Sequence, residues 1–318
     1  MAGYAYIVGD AEVTKATPDA AIVASGKLVW IHLHETTQAA RDWLINVAKL
    51  SELAADALTA TETRPRCDAL GEAALVNLRG LSTSTDMTMS DPLASIRIHA
   101  QGTRVLSVCR LPLNALGPVC ARVAAGEVRD AGDLIAEIAV AITEELDPVI
   151  AELGDDLDDC EEMLDARKVF ALRRAVSSAR VQAIGYRRFL NPQRVAIEKL
   201  SLLPFGWLEE EDRLHLNAAA DRAARMAEEL EAIRERAALL HETLTDLRAE
   251  LIDQRALAIS VVAIVFLPLT FLTGLLGMNV DGIPYAHEPW AFWGVVAAST
   301  LVALATFGYF IRRRWFEQ

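Results

Sequence analysis

Charge is absent from two stretches near the C-terminus: residues 256 to 276 and 290 to 311, runs of 21 and 22, contain no Asp, Glu, Lys, Arg or His. At about 1.5 Å per helical residue, each run reaches about 30 Å, the thickness of a bilayer hydrocarbon core. Two such runs side by side argue against an ordinary soluble fold and predict a transmembrane hairpin. Basic residues are missing between the runs as well. Residues 277 to 289 hold no Lys or Arg, whereas Arg248 and Arg255 precede the first run and Arg312, Arg313 and Arg314 follow the second. This asymmetry predicts an outer loop with both termini cytoplasmic, and Trp290, Trp293, Tyr309 and Trp315 suit the two interfacial belts.

Other absences narrow the function. Cys67, Cys109, Cys120 and Cys160 form no C-x-x-C pair, which speaks against a disulfide framework or zinc finger and for reduced thiols. No basic segment followed by an apolar core opens the chain at Met1, so no cleavable signal peptide is expected. Neither G-x-x-x-x-G-K-S nor G-x-G-x-x-G occurs, so transport powered by hydrolysis within this chain is unsupported. No Ser/His/Asp or Cys/His set has a recognisable spacing, and an enzyme is not expected. The 31 Lys plus Arg against 44 Asp plus Glu leave a net charge of −13, which repels nucleic acid and gathers cations.

Three regions follow. Residues 1 to 127 read as an N-terminal cytosolic α/β domain, with strands over 21 to 23, 27 to 33, 73 to 81, 93 to 99 and 103 to 109 and helices over 37 to 47 and 51 to 58. Gln101 and Gly102 mark a hairpin turn. Residues 128 to 255 read as a helical stalk. Its first helix carries an apolar face at Leu146, Val149, Ile150, Leu153, Leu157, Cys160 and Leu164, and an acidic face that includes Asp155, Asp156, Asp158, Asp159 and Glu162. The next, residues 167 to 199, holds nine Lys or Arg against Glu198 alone, so the two are expected to pair by charge, the second ending at Asn191-Pro192. A heptad seam then runs from Leu216 through Ala219, Ala223, Met226, Leu230, Ile233, Ala237, Leu240, Leu244 and Leu247 to Leu251. With no Gly or Pro between Trp207 and Pro268, this helix is expected to run unbroken into the first span, its seam facing a partner in the same subunit or another. Residues 256 to 318 form the hairpin and basic tail.

The sharpest local signal is Gly277-Met278-Asn279 at the outer end of the first span. In that place it resembles the hallmark of the CorA-type divalent-cation transporters. Residues 30 to 33 (Trp-Ile-His-Leu), 62 to 66 (Glu-Thr-Arg-Pro-Arg) and 95 to 98 (Ser-Ile-Arg-Ile) look like that superfamily's N-terminal domain, so the resemblance covers essentially the whole chain. The Thr-Arg-Pro-Arg run and Gly282-Ile283-Pro284 after the motif are similar to the ZntB-like zinc-transporting branch; Leu276 departs from the aromatic residue of many magnesium-transporting relatives. The resemblance implies a funnel-shaped homopentamer of the inner membrane. It also implies no resident cofactor, zinc as cargo with coupling to protons, and magnesium, cobalt, nickel or cadmium as alternatives.

The residues support this independently. Glycine lets the backbone leave the helix, and the Asn279 carbonyl can hold a cation through its water shell; capping of the span is the bland alternative. Two spans cannot enclose water, so conduction requires a ring of copies. In such a ring Asp253, Ala256, Ile259, Ala263, Leu267, Thr270 and Gly274 would line the axis, with helix packing as the alternative role. Asp281, His287 and Glu288 would draw cations to the outer mouth, and the acidic stalk face could hold regulatory divalent ions or simply be solvated. A membrane-anchored coiled-coil scaffold or sensor is the competing reading.

Overall fold

The computed structural model of the protein describes residues 1–10, 12–61, 64–83, 93–165, 168–278, 283, 285 and 288–312. Seven strands come first: β1 (Gly3–Val8), β2 (Val13–Ala16), β3 (Leu28–Leu33), β4 (Arg66–Leu70), β5 (Ala73–Leu81), β6 (Leu93–Gln101) and β7 (Arg104–Cys109). They form one sheet in the order β2-β1-β3-β7-β6-β5-β4. Only the β3–β7 pairing is parallel, with Ile31 opposite Leu106; the other neighbours are antiparallel. A two-residue turn joins β6 to β7, where Gln101 pairs with Arg104 and Gly102 takes a φ of 59°, the left-handed value this turn needs at its first central position.

Alternation along the strands gives the sheet two different faces. One buries Ala5, Val29, Ile31, Leu33, Leu106 and Val108 against Trp43, Leu44, Ala55 and Leu58 of the helices α2 (Gln38–Asn46) and α3 (Glu52–Thr59). The other lies under α4 (Leu116–Ala124) and α5 (Ala131–Glu162), the latter packing on β5 and β3. At that face Trp30 donates its indole N–H to Ser107 Oγ at 2.8 Å, and the same oxygen lies 2.8 Å from His32 Nδ1. Burial drives the His32 pKa down to about 3, so the ring is neutral and packs against Tyr4, Trp30 and His34 as part of the core.

Several expected elements are corrected. Residues 21 to 23 are not a strand. Ala21 ends the short helix α1 (Pro18–Ala21), because Thr17 accepts the Ala20 N–H and Pro18 sits in the first turn, a strong helix-start signal. The strands β1, β2 and β4 and the helix α4 were not expected. Nor does Pro192 end α6, which runs Val169–Ser201. An interior proline costs about 3 kcal/mol, but the turns after it are pinned by complete burial of Ile197 and Leu200 and by Gln193, whose side-chain oxygen accepts the Arg79 N–H at 2.7 Å.

Among the described residues, the ion pairs that α6 and the acidic stretch of α5 make across helices run to a third helix, not to each other as expected. Arg236 pairs with Asp158 and Glu161 of α5, and Arg187 of α6 pairs with Glu231 at 3.0 Å. Both partners, Arg236 and Glu231, belong to α7, a single helix of 67 residues (Glu210–Leu276). The seam on α7 is buried within this one chain from Leu216 to Leu244 and half-buried at Leu247 and Leu251, so its partner along the buried part is the same subunit. Met1–Met163 with Arg174–Leu240 make one compact unit, and Leu164–Arg173 with His241–Gln318 a second. The expected boundary after residue 127 falls between α4 and α5.

The helix starts of α5 and α7 meet through carboxylates. Asp130 Oδ1 accepts the Asp133 N–H at 3.0 Å, Asp133 accepts the Arg129 N–H at 3.0 Å, and Asp212 accepts the Glu209 N–H at 2.8 Å. Both Asp133 and Asp212 thus reach back to N–H groups that the helix itself leaves unbonded. A carboxylate oxygen of each of Asp130, Asp133 and Asp212 lies within 4.8 Å of the others, close enough for like charges to disfavour full ionisation. Burial and the neighbouring charges of Asp130 and Asp133 push Asp212 up to about 7. Burial also acts on Asp133, but its bonds and ion pair to Arg129 outweigh that and hold it below the usual carboxylate range.

The folded state therefore binds a proton at Asp212 that the unfolded chain releases near pH 4, so this group's contribution to stability falls as pH rises from about 4 to 7. Asp212→Asn, which keeps a donor and an acceptor, should flatten that decline; thermal unfolding midpoints of both proteins between about pH 5 and pH 8 test it. Gly132 sits against the same pair, and a Cβ there would lie 2.0 Å from Asp212 Oδ2 and 2.9 Å from the Trp207 carbonyl. Gly132→Ala should cost about 1–3 kcal/mol by overpacking, visible as a lower melting midpoint.

Candidate ion pathway

Among the described residues, the apolar part of α7 and the last helix, α8 (Pro289–Arg312), are the two segments long and apolar enough to cross a membrane. Hydrocarbon offers no hydrogen-bond partners, so a helix is the structure that satisfies its own backbone there. The hydroxyls of Ser260 and four threonines follow the same rule, whereas Ser299 Oγ is buried without a hydrogen-bond partner. Ser260 donates to the Ala256 carbonyl, Thr270 to Phe266, Thr273 to Leu269, Thr300 to Val296 and Thr306 to Val302, each one turn back.

Each span has one partly covered stripe. On α7 it runs Leu257, Val261, Val265, Leu269, Leu272, Leu276; on α8 it runs Ala291, Val295, Ser299, Ala303, Thr306. Large side chains on one helix and small ones on the other let two helices of a hairpin approach closely. The residues expected to line an axis, Asp253, Ala256, Ile259, Ala263, Leu267, Thr270 and Gly274, are all exposed in the single chain, Ile259 at 71% and Leu267 at 74%. At about 100° per residue their stripe is centred half a turn away from the covered one. Exposure alone does not separate an axis from lipid, since Phe266 and Phe271 are exposed too. The distinguishing property is chemical. This stripe contains the polar Thr270 and the small Ala256, Ala263 and Gly274, and Thr270, having donated its proton inward, presents oxygen lone pairs outward, as a cation or its water would require.

At its C-terminal end the helix closes at Leu276. Gly277 follows directly: its N–H reaches the Thr273 carbonyl at 2.9 Å, and its φ is not left-handed. A Cβ there would stand 3.1 Å from that carbonyl oxygen, a tight approach that glycine avoids. The last carbonyls of the helix carry its partial negative charge to this end, which favours a cation. Met278 is 48% exposed and Glu288 is exposed. Asn279, Asp281 and His287 lie outside the described residues.

The acidic stalk residues Asp155, Asp156, Asp158, Asp159 and Glu162 are exposed, and Asp158 is engaged by Arg236. They do not assemble into a ligand set. Among the described residues the carboxylates that come within 4.8 Å of one another as a group of three are Asp130, Asp133 and Asp212, whose oxygens are occupied as described above. Sequence periodicity gave no sign of that group, because it joins residues 82 apart in the chain, from Asp130 to Asp212.

An α/β unit, long helices, and an apolar helix pair whose first member carries an exposed, partly polar stripe define a membrane protein. A family model described as CorA-like Mg2+ transporter protein matches residues 25–313, and the chain belongs to that family. It is 34% identical to the divalent cation transporter CmaX of Pseudomonas aeruginosa over 289 residues, 90% of this chain and 86% of that one. It is 30% identical to the zinc transport protein ZntB of Pectobacterium atrosepticum, over 92% of this chain and 90% of that one. Among solved structures, full-length CmaX superposes with a TM-score of 0.77 at 31% identity, covering 99% of this chain and 98% of that one. The CorA magnesium transporter from Methanocaldococcus jannaschii gives a TM-score of 0.80 at 17% identity over 99% of both chains, a likeness of fold.

The stripe assignment is checked by cysteine scanning in a cysteine-free background. Ala263→Cys and Thr270→Cys should react with a charged, membrane-impermeant thiol reagent, whereas Val261→Cys and Leu269→Cys should not; the opposite pattern would place the stripe against lipid.

Proposed function

We propose that this chain is the subunit of a homopentameric divalent-cation transporter of the inner membrane, with both termini cytoplasmic. Ions pass between first spans and zinc is the main cargo. The observation that carries the proposal is the partly polar stripe opposite the covered face of α7, uncharged from Ala256 to Gly274 and leading to Gly277-Met278-Asn279. A conducting path needs binding that is favourable enough to admit the ion and weak enough to release it. Neutral oxygens from Thr270 and Asn279 meet that need, with Ile259 and Leu267 as apolar constrictions that gate by dewetting. Asp253 at the inner end, and Asp281, His287 and Glu288 at the outer end, concentrate cations at the two mouths.

Zinc as cargo is supported by the name of the relatives about 30% identical to this chain. His287 adds a ligand of intermediate softness suited to that ion. Coupling to protons would have to use groups outside the spans, since the spans hold none that titrate near neutral pH; Asp281, His287 and Glu288 are the ones at the mouth. Regulatory binding of divalent ions at the acidic stalk face would require Asp155, Asp156, Asp158, Asp159 and Glu162 to be drawn together by a second subunit or by the ion itself.

Reconstitution into liposomes with zinc and magnesium indicators, with and without a pH gradient, tests these statements. Zinc flux enhanced by the gradient is expected; magnesium flux alone would overturn the cargo, and zinc flux indifferent to the gradient would remove the coupling. Asn279→Ala should reduce flux about tenfold or more, the effect of about 1.4 kcal/mol on a barrier, while crosslinking still reports the same oligomer. A scaffold or sensor would be indifferent to that change.

A further inference from the structure

The faces that α5 and α6 leave uncovered carry opposite charge. On α5 the buried residues Leu146, Ile150, Leu153, Leu157 and Cys160 follow one side of the helix. At about 100° per residue, Pro148, Ala151, Glu152, Asp155 and Asp159 lie half a turn away, and all five are exposed. The ion pairs that this stretch makes among the described residues use Asp158 and Glu161 at its edge instead. No Lys or Arg occurs between Arg129 and Arg167, so the outer face of α5 has one sign only.

On α6 the same construction has the other sign. Val176, Ala179, Ala183 and Leu190 are buried, and half a turn away Arg174, Val181, Ile184 and Arg188 are exposed, Val181 at 66% and Ile184 at 49%. The ion pairs of this helix among the described residues run from Arg187, Arg194 and Lys199. No Asp or Glu occurs from Val169 to Ile197. Two β-branched apolar side chains bracketed by arginines, each about two helical turns from Val181, make a surface that water alone does not favour. Gly185 lies on this face in the helix interior, where glycine is unfavourable, and a Cβ there would meet nothing within 4 Å. Packing within the chain does not ask for that glycine, whereas a second backbone approaching from outside would.

We propose that the outer face of α6 docks on the outer face of α5 in a second copy of this chain, Val181 and Ile184 against Pro148 and Ala151, and the arginines against Glu152, Asp155 and Asp159. Both faces belong to the unit that contains the sheet, and each points away from the helices of its own chain, so a second copy has to supply the match. The contact joins two different surfaces. A contact of that kind repeats from copy to copy and closes into a ring, whereas a surface paired with itself closes at two copies and cannot build a ring of five. The inference rests on the homo-oligomer proposed above and names the surfaces that would join it outside the spans.

The test is photo-crosslinking of the full-length protein in detergent, with Val181→p-benzoylphenylalanine at its exposed position. Illumination should give a covalent dimer whose joined peptide, read by mass spectrometry, falls between residues 147 and 162 of the other copy. Arg174→Glu with Arg188→Glu should lower the dimer yield about tenfold or more, because like charges then face each other. Asp155→Arg with Asp159→Arg in the same chain should restore it. Light scattering on the same samples reports the oligomer. A monomeric wild type would overturn the oligomer and this contact with it. An intact oligomer whose adducts go only to detergent, to lipid, to other segments or within one chain would overturn the contact alone. A dimer yield indifferent to the first charge reversal, or not restored by the second, would equally overturn the pairing of α6 with the α5 carboxylates.

Discussion

A polar group that enters hydrocarbon has to find its partner inside the protein, and this requirement organises the C-terminal third of the chain. It makes both spans helical and turns their threonine hydroxyls back onto the helix one turn away. It also forbids a water-filled path through one copy, because two helices have no interior. A cation, whose need for oxygen is greater than that of any side chain in the spans, can cross only where several copies place neutral oxygens around a common axis. The transport reading therefore follows from the same constraint that shapes the fold.

The sheet unit shows the complementary case, in which charge is buried in protein. At the starts of α5 and α7, Asp133 and Asp212 are stabilised by N–H groups the helices leave free, and a proton held at Asp212 removes one of the two charges.

Much of this architecture was legible in residue order. The strands β3, β5, β6 and β7 announce themselves as apolar runs, and α2 and α3 begin where Thr37 and Ser51 cap them. The unbroken α7 followed from the lack of glycine and proline over sixty residues. What failed did so for local reasons. The strand β1 alternates tyrosines with small and aliphatic residues in a stretch too short to stand out, and β4 is polar at Arg66 and Asp68. Pro192 looked like a stop because its own chemistry is that of a stop. Burial of Ile197 and Leu200, which outweighs it, depends on the fold around that turn.

Sequence by itself determined the membrane hairpin, the long helix, the motif at the end of the first span and the family, because these rest on length, on missing charge and on neighbours in the chain. Tertiary structure decided which face of the first span is covered, that the heptad seam from Leu216 to Leu244 is satisfied within one subunit, and that Arg236 and Glu231 answer the charges of α5 and α6. It alone brought Asp130 and Asp133 to Asp212, and placed Arg79, Arg97 and Arg110 around one cavity. Those are relations between residues distant in sequence, fixed by strand register and helix packing. A periodicity can show that a residue needs a partner, but only the folded chain shows whether it has one.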